Sequence, residues 1–422
     1  MFNVLLDATN WLESQIKFKP KTDLVRMRAA YKLLDVDLNG IKKIHVAGTN
    51  GKGSVCSYMS YILIEAGYKV GTYTSPYLVR FNERIRVQMK EINDQDLLDQ
   101  INFIYQFNNQ FHQSYGETLS FFELLTLMSM RHFYQSKVDV MIIEVGLGGL
   151  LDATNILNYD LSLITSIGFD HMKQLGNTLE SIASNKLGIL KKGNHLITTV
   201  DETLHPYFDK YLENNDVTYH FLTKKDIHLL SENPIRYTYD QKIYTIPLVG
   251  SYQILNSLLS IEGIRYLYPS ISYDIIDRGI QKTTWYGRLE MIDTNIYIDG
   301  AHNIHAMDAL VETAKTTFRD KDIWILFSAL GDKDILGMIK RIKTFAKRVV
   351  FTSFPDPRFV DLSPYIGDDI YLDDPHQAIL ELKRQMTDHV ILIITGSLHF
   401  IGYIKKTYDE HLVNTFLSKK QD

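Results

Sequence analysis

Apolar positions along the chain follow two rhythms. Short, nearly unbroken apolar runs bounded by turn residues recur at residues 44–47, 69–74, 138–145 and 161–167, as expected of strands buried on both faces. Between them the spacing shifts toward the 3.6-residue repeat of helices, over residues 54–66 and much of 94–135. Residues 1–15 set Leu5, Leu6, Trp11 and Leu12 against Asp7 and Glu13, which predicts an amphipathic helix. Strands alternating with helices imply a doubly wound, mostly parallel sheet. Over residues 217–247 the pattern breaks into short Tyr- and Thr-bearing runs interrupted by Asn233-Pro234 and Asp240-Gln241, predicting an antiparallel excursion at the edge of the first domain. A second α/β series then begins, with short buried strands expected at residues 296–298, 323–327, 348–351 and 390–394. The change of series falls near residues 282–285, so domains are expected at 1–283 and 284–422.

Composition narrows the class. At 422 residues, with 45% hydrophobic and 23% charged positions, the chain reads as an ordinary globular protein rather than a fibrous or disordered one. A net charge of −5 offers no basic face for nucleic acid. Cys56, the only cysteine, can form no intramolecular disulfide and is too few for a structural zinc site, which points to a reducing, cytoplasmic compartment. The start of the chain has no basic segment and no small-residue cleavage site. Apolar runs such as residues 390–395 are strand-length, far below the ~20 residues a membrane span needs, so no membrane partner is expected.

Chemistry concentrates first where a strand hands over to a helix, at Gly48-Thr49-Asn50-Gly51-Lys52-Gly53-Ser54. Backbone N–H groups and a helix N-terminus can converge there on phosphate oxygens, with Lys52 adding positive charge and the Ser54 hydroxyl suiting a Mg²⁺ shell. The strict Walker spacing is not met, because Val46 holds its first glycine position and Gly53 intervenes before Ser54. On these residues alone, a glycine-rich turn with a solvated lysine fits as well. Glu144 ends an apolar run, where a carboxylate is costly to bury unless it meets a cation or hydrogen-bond donors, and His171 follows another such run. Ligands of doubly wound sheets gather beyond the carboxyl ends of strands, so Ser54, Glu144 and His171 can converge on magnesium; taken singly, each also reads as a satisfied structural residue.

The variant loop, Ala47 through Ser54, resembles the ATP loop of the Mur ligase superfamily. Later landmarks are similar to those of its folate branch, the folylpolyglutamate and dihydrofolate synthases: Thr74-Ser75-Pro76-Tyr77-Leu78, Phe81-Asn82-Glu83-Arg84-Ile85, Glu144-Val145-Gly146-Leu147-Gly148-Gly149 with Leu151-Asp152-Ala153-Thr154-Asn155, and Thr165-Ser166-Ile167-Gly168 with Asp170-His171. Lys186-Leu187-Gly188-Ile189, Trp285-Tyr286-Gly287-Arg288-Leu289-Glu290, Asp299-Gly300-Ala301-His302-Asn303 and Thr395-Gly396-Ser397-Leu398 continue the series in family order.

The resemblance implies a Mur-type ATP-binding domain over residues 1–283 and a smaller Rossmann-like glutamate-ligase domain over 284–422. It implies ATP-dependent joining of L-glutamate to dihydropteroate or a reduced folate through an acyl phosphate, by a monomer. Lys52, Lys186, His302 and Arg288 would be the catalytic set. Gly48 through Ser54, Asn256, Arg288 and Asp299 would bind nucleotide; Ser54, Glu144, His171 and a carbamylated Lys186 would hold Mg²⁺ as two ions; Ser75, His302 and Ser397 would meet substrates. The nucleotide and glutamate groups would meet by domain closure. Bland readings stand beside these: an exposed helix lysine for Lys186, a surface pair of Arg288 with Glu290, a plain turn for residues 299–303, and a solvated charge for Lys333, a further glutamate candidate. Tyr77, Leu150, Asn185, Ile304 and His399 depart from the usual family residues. Other readings to weigh are a cell-wall amino-acid ligase, a non-catalytic folate- or nucleotide-binding homologue, and a simple P-loop ATPase or kinase.

Overall fold

The computed structural model describes residues 1–17, 19 and 22–418, with side chains as far as 408; residues 18, 20, 21 and 419–422 of the two expected domains lie outside the described residues. Among these residues the chain divides into two compact units, Met1–Ile227 with Leu255–Thr283 and His228–Ile254 with Thr284–Asp422. The expected division put residues 228–254 with the first domain, whereas they pack with the second. Val249 lies on the apolar core of the second unit, and the Ser251 N–H donates to Thr313 Oγ1 at 3.4 Å.

The first unit is built on strands β1 (Lys42–Ala47), β2 (Val70–Tyr73), β3 (Ile85–Val87), β4 (Lys90–Glu91), β5 (Val140–Glu144), β6 (Leu161–Ile164), β7 (His195–Thr198) and β8 (Thr218–Phe221). They form one sheet in the order β4-β3-β2-β5-β1-β6-β7-β8, parallel from β2 to β8, with β3 and β4 antiparallel at one edge. Residues 218–221, read as part of an antiparallel excursion, are thus a parallel edge strand. β5 and β6 are buried throughout, which is why they read as unbroken apolar runs. The long helical pattern of residues 94–135 is two helices, Asp94–Tyr115 and Phe121–Gln135. Gly116 ends the first at φ 74°, and Ser120 with Glu123 forms a capping box that starts the second. The N-terminal helix, Leu5–Ser14, buries Ala8 and Leu12 in the same core as Leu124, Met128 and Phe133.

The second unit holds an antiparallel three-stranded sheet, β9 (His228–Glu232), β10 (Ile235–Tyr239) and β11 (Lys242–Ile246), which the sequence did announce as antiparallel. Its larger sheet joins β12 (Glu290–Asp293), β13 (Ile296–Ile298), β14 (Asp322–Phe327), β15 (Arg348–Thr352), β16 (Ile370–Leu372) and β17 (Val390–Thr395) in the order β12-β13-β17-β14-β15-β16. All its pairings are parallel except β12 with β13.

Candidate functional site

In the first unit β1 lies between β5 and β6, so the loops leaving these three parallel strands share one end of the sheet. The loop after β1 is held from beneath by the start of the loop after β6. Thr49 N–H donates to the Ser166 carbonyl at 2.7 Å, Asn50 N–H to Ser166 Oγ at 3.2 Å, and Thr165 Oγ1 donates to the Asn50 carbonyl at 2.6 Å. Thr49 Oγ1 both donates to the Gly168 carbonyl and accepts its N–H. Two glycines are obligatory in this arrangement. At Gly48, φ 146°, a Cβ would stand 1.8 Å from Thr165 Oγ1; at Gly51, φ 90°, it would stand 2.5 Å from Asn256 Oδ1. Asn256, some 200 residues on, is therefore laid directly against the loop.

Helix Lys52–Glu65 starts at this turn, and Ser54 in its first turn is buried. Lys52 folds back, its Nζ donating to the Gly48 and Thr49 carbonyls at 3.1 Å each, and lies 3.9 Å from the Glu144 carboxylate at the end of β5. Glu144 is 5% exposed, and its Oε2 also accepts the Ser75 N–H at 2.9 Å. Ser75, expected to face the acceptor, is thereby anchored at the carboxylate proposed for metal.

Lys186 is 4% exposed, not the surface lysine of the bland reading, and its Nζ donates to the Gly48 carbonyl at 2.8 Å. Its helix, Leu179–Leu187, is capped by Thr178 and accepts the Leu150 N–H at the Asn185 carbonyl. Burial, followed by the nearby charge of Lys52, pulls the Lys186 ammonium down to about 7, with Asp170 and Asp152 opposing the shift. His171 sits past β6, in a left-handed turn at φ 51° that opens the short helix Met172–Leu175. Its side chain is half-exposed, 3.8 Å from Asp170. The structure thus joins Lys52, Glu144, Ser75 and Lys186 around Gly48 and sets His171 beyond Gly168. Among the described residues no three His, Cys, Asp or Glu side chains converge, so a cation here would need hydroxyl or carbamate donors as well.

The second unit assembles its own group at the ends of β13 and β17, neighbouring parallel strands. Asp299 is buried, accepting N–H donors from Leu289 at 3.0 Å and Ala301 at 2.9 Å and the Tyr252 hydroxyl. Burial pushes its carboxyl up, while the Arg288 charge and these donors oppose the rise. Glu290 pairs with Lys405, so the suggested Arg288–Glu290 surface pair is not the arrangement adopted. His302 Nδ1 donates to the Gly300 carbonyl at 2.7 Å. Gly396 N–H donates to the Ala301 carbonyl, tying this turn to Ser397, whose Oγ accepts the His399 N–H at 3.2 Å. The Lys333 side chain is only 15% exposed, against its reading as a solvated charge.

Sequence reasoning assigned no role to the residues that hold these loops, although Thr165, Ser166 and Asp152 stand among its family-like landmarks: Thr165 and Ser166 lie under the first loop, Asp152 takes the Leu147 and Thr154 N–H groups, and Tyr252 donates to Asp299. Hydroxyls and a carboxylate clustered immediately after apolar runs were the available signal.

Comparison with known proteins gives matches along most of the chain. The Mur ligase middle domain family matches residues 46–262, and the Mur ligase glutamate ligase domain family matches 287–398. A dihydrofolate synthase/folylpolyglutamate synthase of Bacillus subtilis is 36% identical, across 96% of this chain and 99% of its own. Among solved structures, Escherichia coli FolC in complex with DHPP and ADP has a TM-score of 0.85 at 26% identity, covering 96% of this chain and 98% of its own. A bifunctional folylpolyglutamate synthase/dihydrofolate synthase with Mn, AMPPNP and L-glutamate bound has a TM-score of 0.83 at 26% identity, with the same coverage.

Proposed function

The chain belongs to the folylpolyglutamate synthase and dihydrofolate synthase family of Mur ligases, and from that premise we propose how its own residues join glutamate to a folate-type carboxylate at the expense of ATP. The observation that carries the reading is the meeting of Lys52, Lys186 and the Glu144 carboxylate at the Gly48 turn, a charged group built around a phosphate-type loop.

A carboxylate and an amine do not condense readily in water. The ATP γ-phosphoryl group passes to an acceptor carboxylate oxygen, ADP leaves, and the resulting acyl phosphate is attacked at its acyl carbon by the neutral glutamate amine. Phosphate departs with that oxygen, and the new amide nitrogen gives up a proton. Lys52 and the N–H groups of residues 51–54, where helix Lys52–Glu65 starts, carry the phosphoryl charge, a contribution of positioning and electrostatics. With its ammonium held near 7, Lys186 has a neutral amine at physiological pH that takes up CO₂, releases a proton and becomes a carbamate anion. Carbamate, Ser54 and Glu144 offer hard oxygen donors and His171 a borderline nitrogen, and together they would hold two Mg²⁺ ions that would neutralise phosphate charge when bound. Asn256 lies where it can meet nucleotide at the loop. In the second unit Arg288 and Asp299 are assigned to nucleotide, and His302 and Ser397 to glutamate. Ser75 keeps its acceptor role at the edge of the metal group. We further assign the chain a cytoplasmic, monomeric state; no helix among the described residues is long and apolar enough to cross a membrane.

The chemistry is tested with ¹⁸O in the acceptor carboxylate, comparing dihydropteroate with tetrahydrofolate. One labelled oxygen in the released phosphate is expected from each acceptor used. Unlabelled phosphate accompanying glutamylated product would rule out the acyl phosphate.

A further inference from the structure

Strand β3 is entered through the short turn Phe81–Arg84, and its charged residues divide into two groups. Glu83 and Arg86 are consumed locally. The Glu83 carboxylate takes the N–H groups of Leu78, Val79 and Arg80 at 2.9, 2.7 and 2.8 Å, while Arg86 meets it at 3.5 Å and donates to Thr74 Oγ1 at 3.0 Å. Together they fix the loop of residues 75–80.

Arg84 is treated differently. It is 8% exposed, and its Nε is sealed from solvent without a partner. Among the described residues its guanidinium makes no hydrogen bond and no ion pair; its neighbours are rings. The guanidinium carbon lies 4.9 Å from the ring centroid of Tyr77, 5.4 Å from Phe81 and 5.5 Å from Phe121. Tyr77 is held there by its hydroxyl, which donates to Glu13 Oε1 at 3.2 Å. An arginine stays charged at any physiological pH, and a buried charge without hydrogen bonds costs several kcal/mol. Each cation–π contact returns only about 0.5–2 kcal/mol. Ring contacts leave unsatisfied the edge of the fork, where five N–H donors match a carboxylate bidentately.

The loop fixed by Glu83 begins at Ser75, whose N–H rests on Glu144, and Glu144 stands 3.9 Å from Lys52. The aromatic box is thus one short loop from the phosphate-handling group. We infer that Arg84 receives the carboxylate of the acceptor, edge-on, inside a box of Tyr77, Phe81 and Phe121 that accommodates an aromatic acid. The identity of that acid as a pteroate-type acceptor rests on the ligase reading; the recognition of an aromatic carboxylate does not.

The test uses pteroate, which has a single carboxylate on an aromatic ring, and its carboxamide. Binding to the full chain is followed by intrinsic fluorescence, and phosphate release with ATP, Mg²⁺ and glutamate is measured alongside. Arg84→Met keeps the volume and removes the charge, so it should fold with equal or higher thermal stability. It should weaken pteroate about tenfold to a hundredfold, the worth of a charge-assisted pair, and leave carboxamide binding and the KM values for ATP and glutamate unchanged. Unaltered pteroate binding in a folded Arg84→Met would overturn the inference. Should that variant not fold, the unmodified protein decides: preference for acid over amide supports the assignment, and equal binding of the two refutes it. Charge-selective binding without phosphate release would sink the ligase reading and leave the Arg84 assignment standing.

Discussion

Two buried bases give the molecule a dependence on pH whose sign can be worked out. Lys186 falls from 10.5 to about 7 through burial and the neighbouring Lys52, and His45 from 6.5 to about 3 through burial and then Lys191. In each case the unfolded chain binds a proton that the folded chain refuses, so stability rises with pH across the window between the two values. For Lys186 the window is about 7 to 10.5, and for His45 about 3 to 6.5. In CO₂-free buffer, Lys186→Met should therefore be more stable than the parent below pH 7, by up to a few kcal/mol. The gap should close toward pH 10; calorimetry showing a constant gap would contradict the assignment. The parent should also lose stability on acidification from pH 6.5, and less so in His45→Gln. The carbamate is checked separately, by a carbonyl resonance from ¹³C-bicarbonate that disappears in Lys186→Met. Lys52→Met, which leaves the fold but removes the loop's mobile charge, should lower phosphate release by a hundredfold or more, on the order of the loss of a positioned electrostatic group.

Loops held by distant side chains, rather than by their own sequence, set the geometry at the next scale. Gly51→Ala would force a β-carbon into φ 90° against Asn256, and should cost about 1–2 kcal/mol of stability and, on the nucleotide role proposed for this loop, raise the KM for ATP. Glu83→Gln would weaken the acceptance of three backbone N–H groups and should raise the acceptor KM more than that for glutamate. How much of this was legible depends on burial. β1, β5, β6 and β17 are buried along most or all of their length, and their apolar stretches announced them. β7, β8 and β16 carry His195 and Tyr371 at partly exposed positions and Thr218 and His220 at exposed ones, which break the apolar run and hid them. The glycine and lysine of the phosphate-type loop were readable because backbone conformation and charge are local demands. The partners of Thr165 and Tyr252 were not: a hydroxyl after an apolar run is visible in the sequence, but that Thr165 meets Asn50 more than a hundred residues away, or that Tyr252 meets Asp299, is decided only by the fold.

At the scale of the whole chain, each unit carries its own coherent group: Lys52, Glu144, Ser75 and Lys186 around the Gly48 turn of the first, and Asp299, Arg288, His302 and Ser397 at neighbouring strand ends of the second. The regrouping of residues 228–254 with the second unit brings Tyr252 to Asp299, a contact that a cut at residue 283 alone would have assigned to different domains. Family membership across nearly the full length makes the chain a ligase, which requires three substrates at once rather than ATP alone. The most direct measurement is phosphate release by the purified protein with ATP and Mg²⁺, with L-glutamate and a pterin acceptor each present or withheld. The account predicts release only when both are present, matched mole for mole by glutamylated acceptor; release from ATP that ignores either one would contradict it.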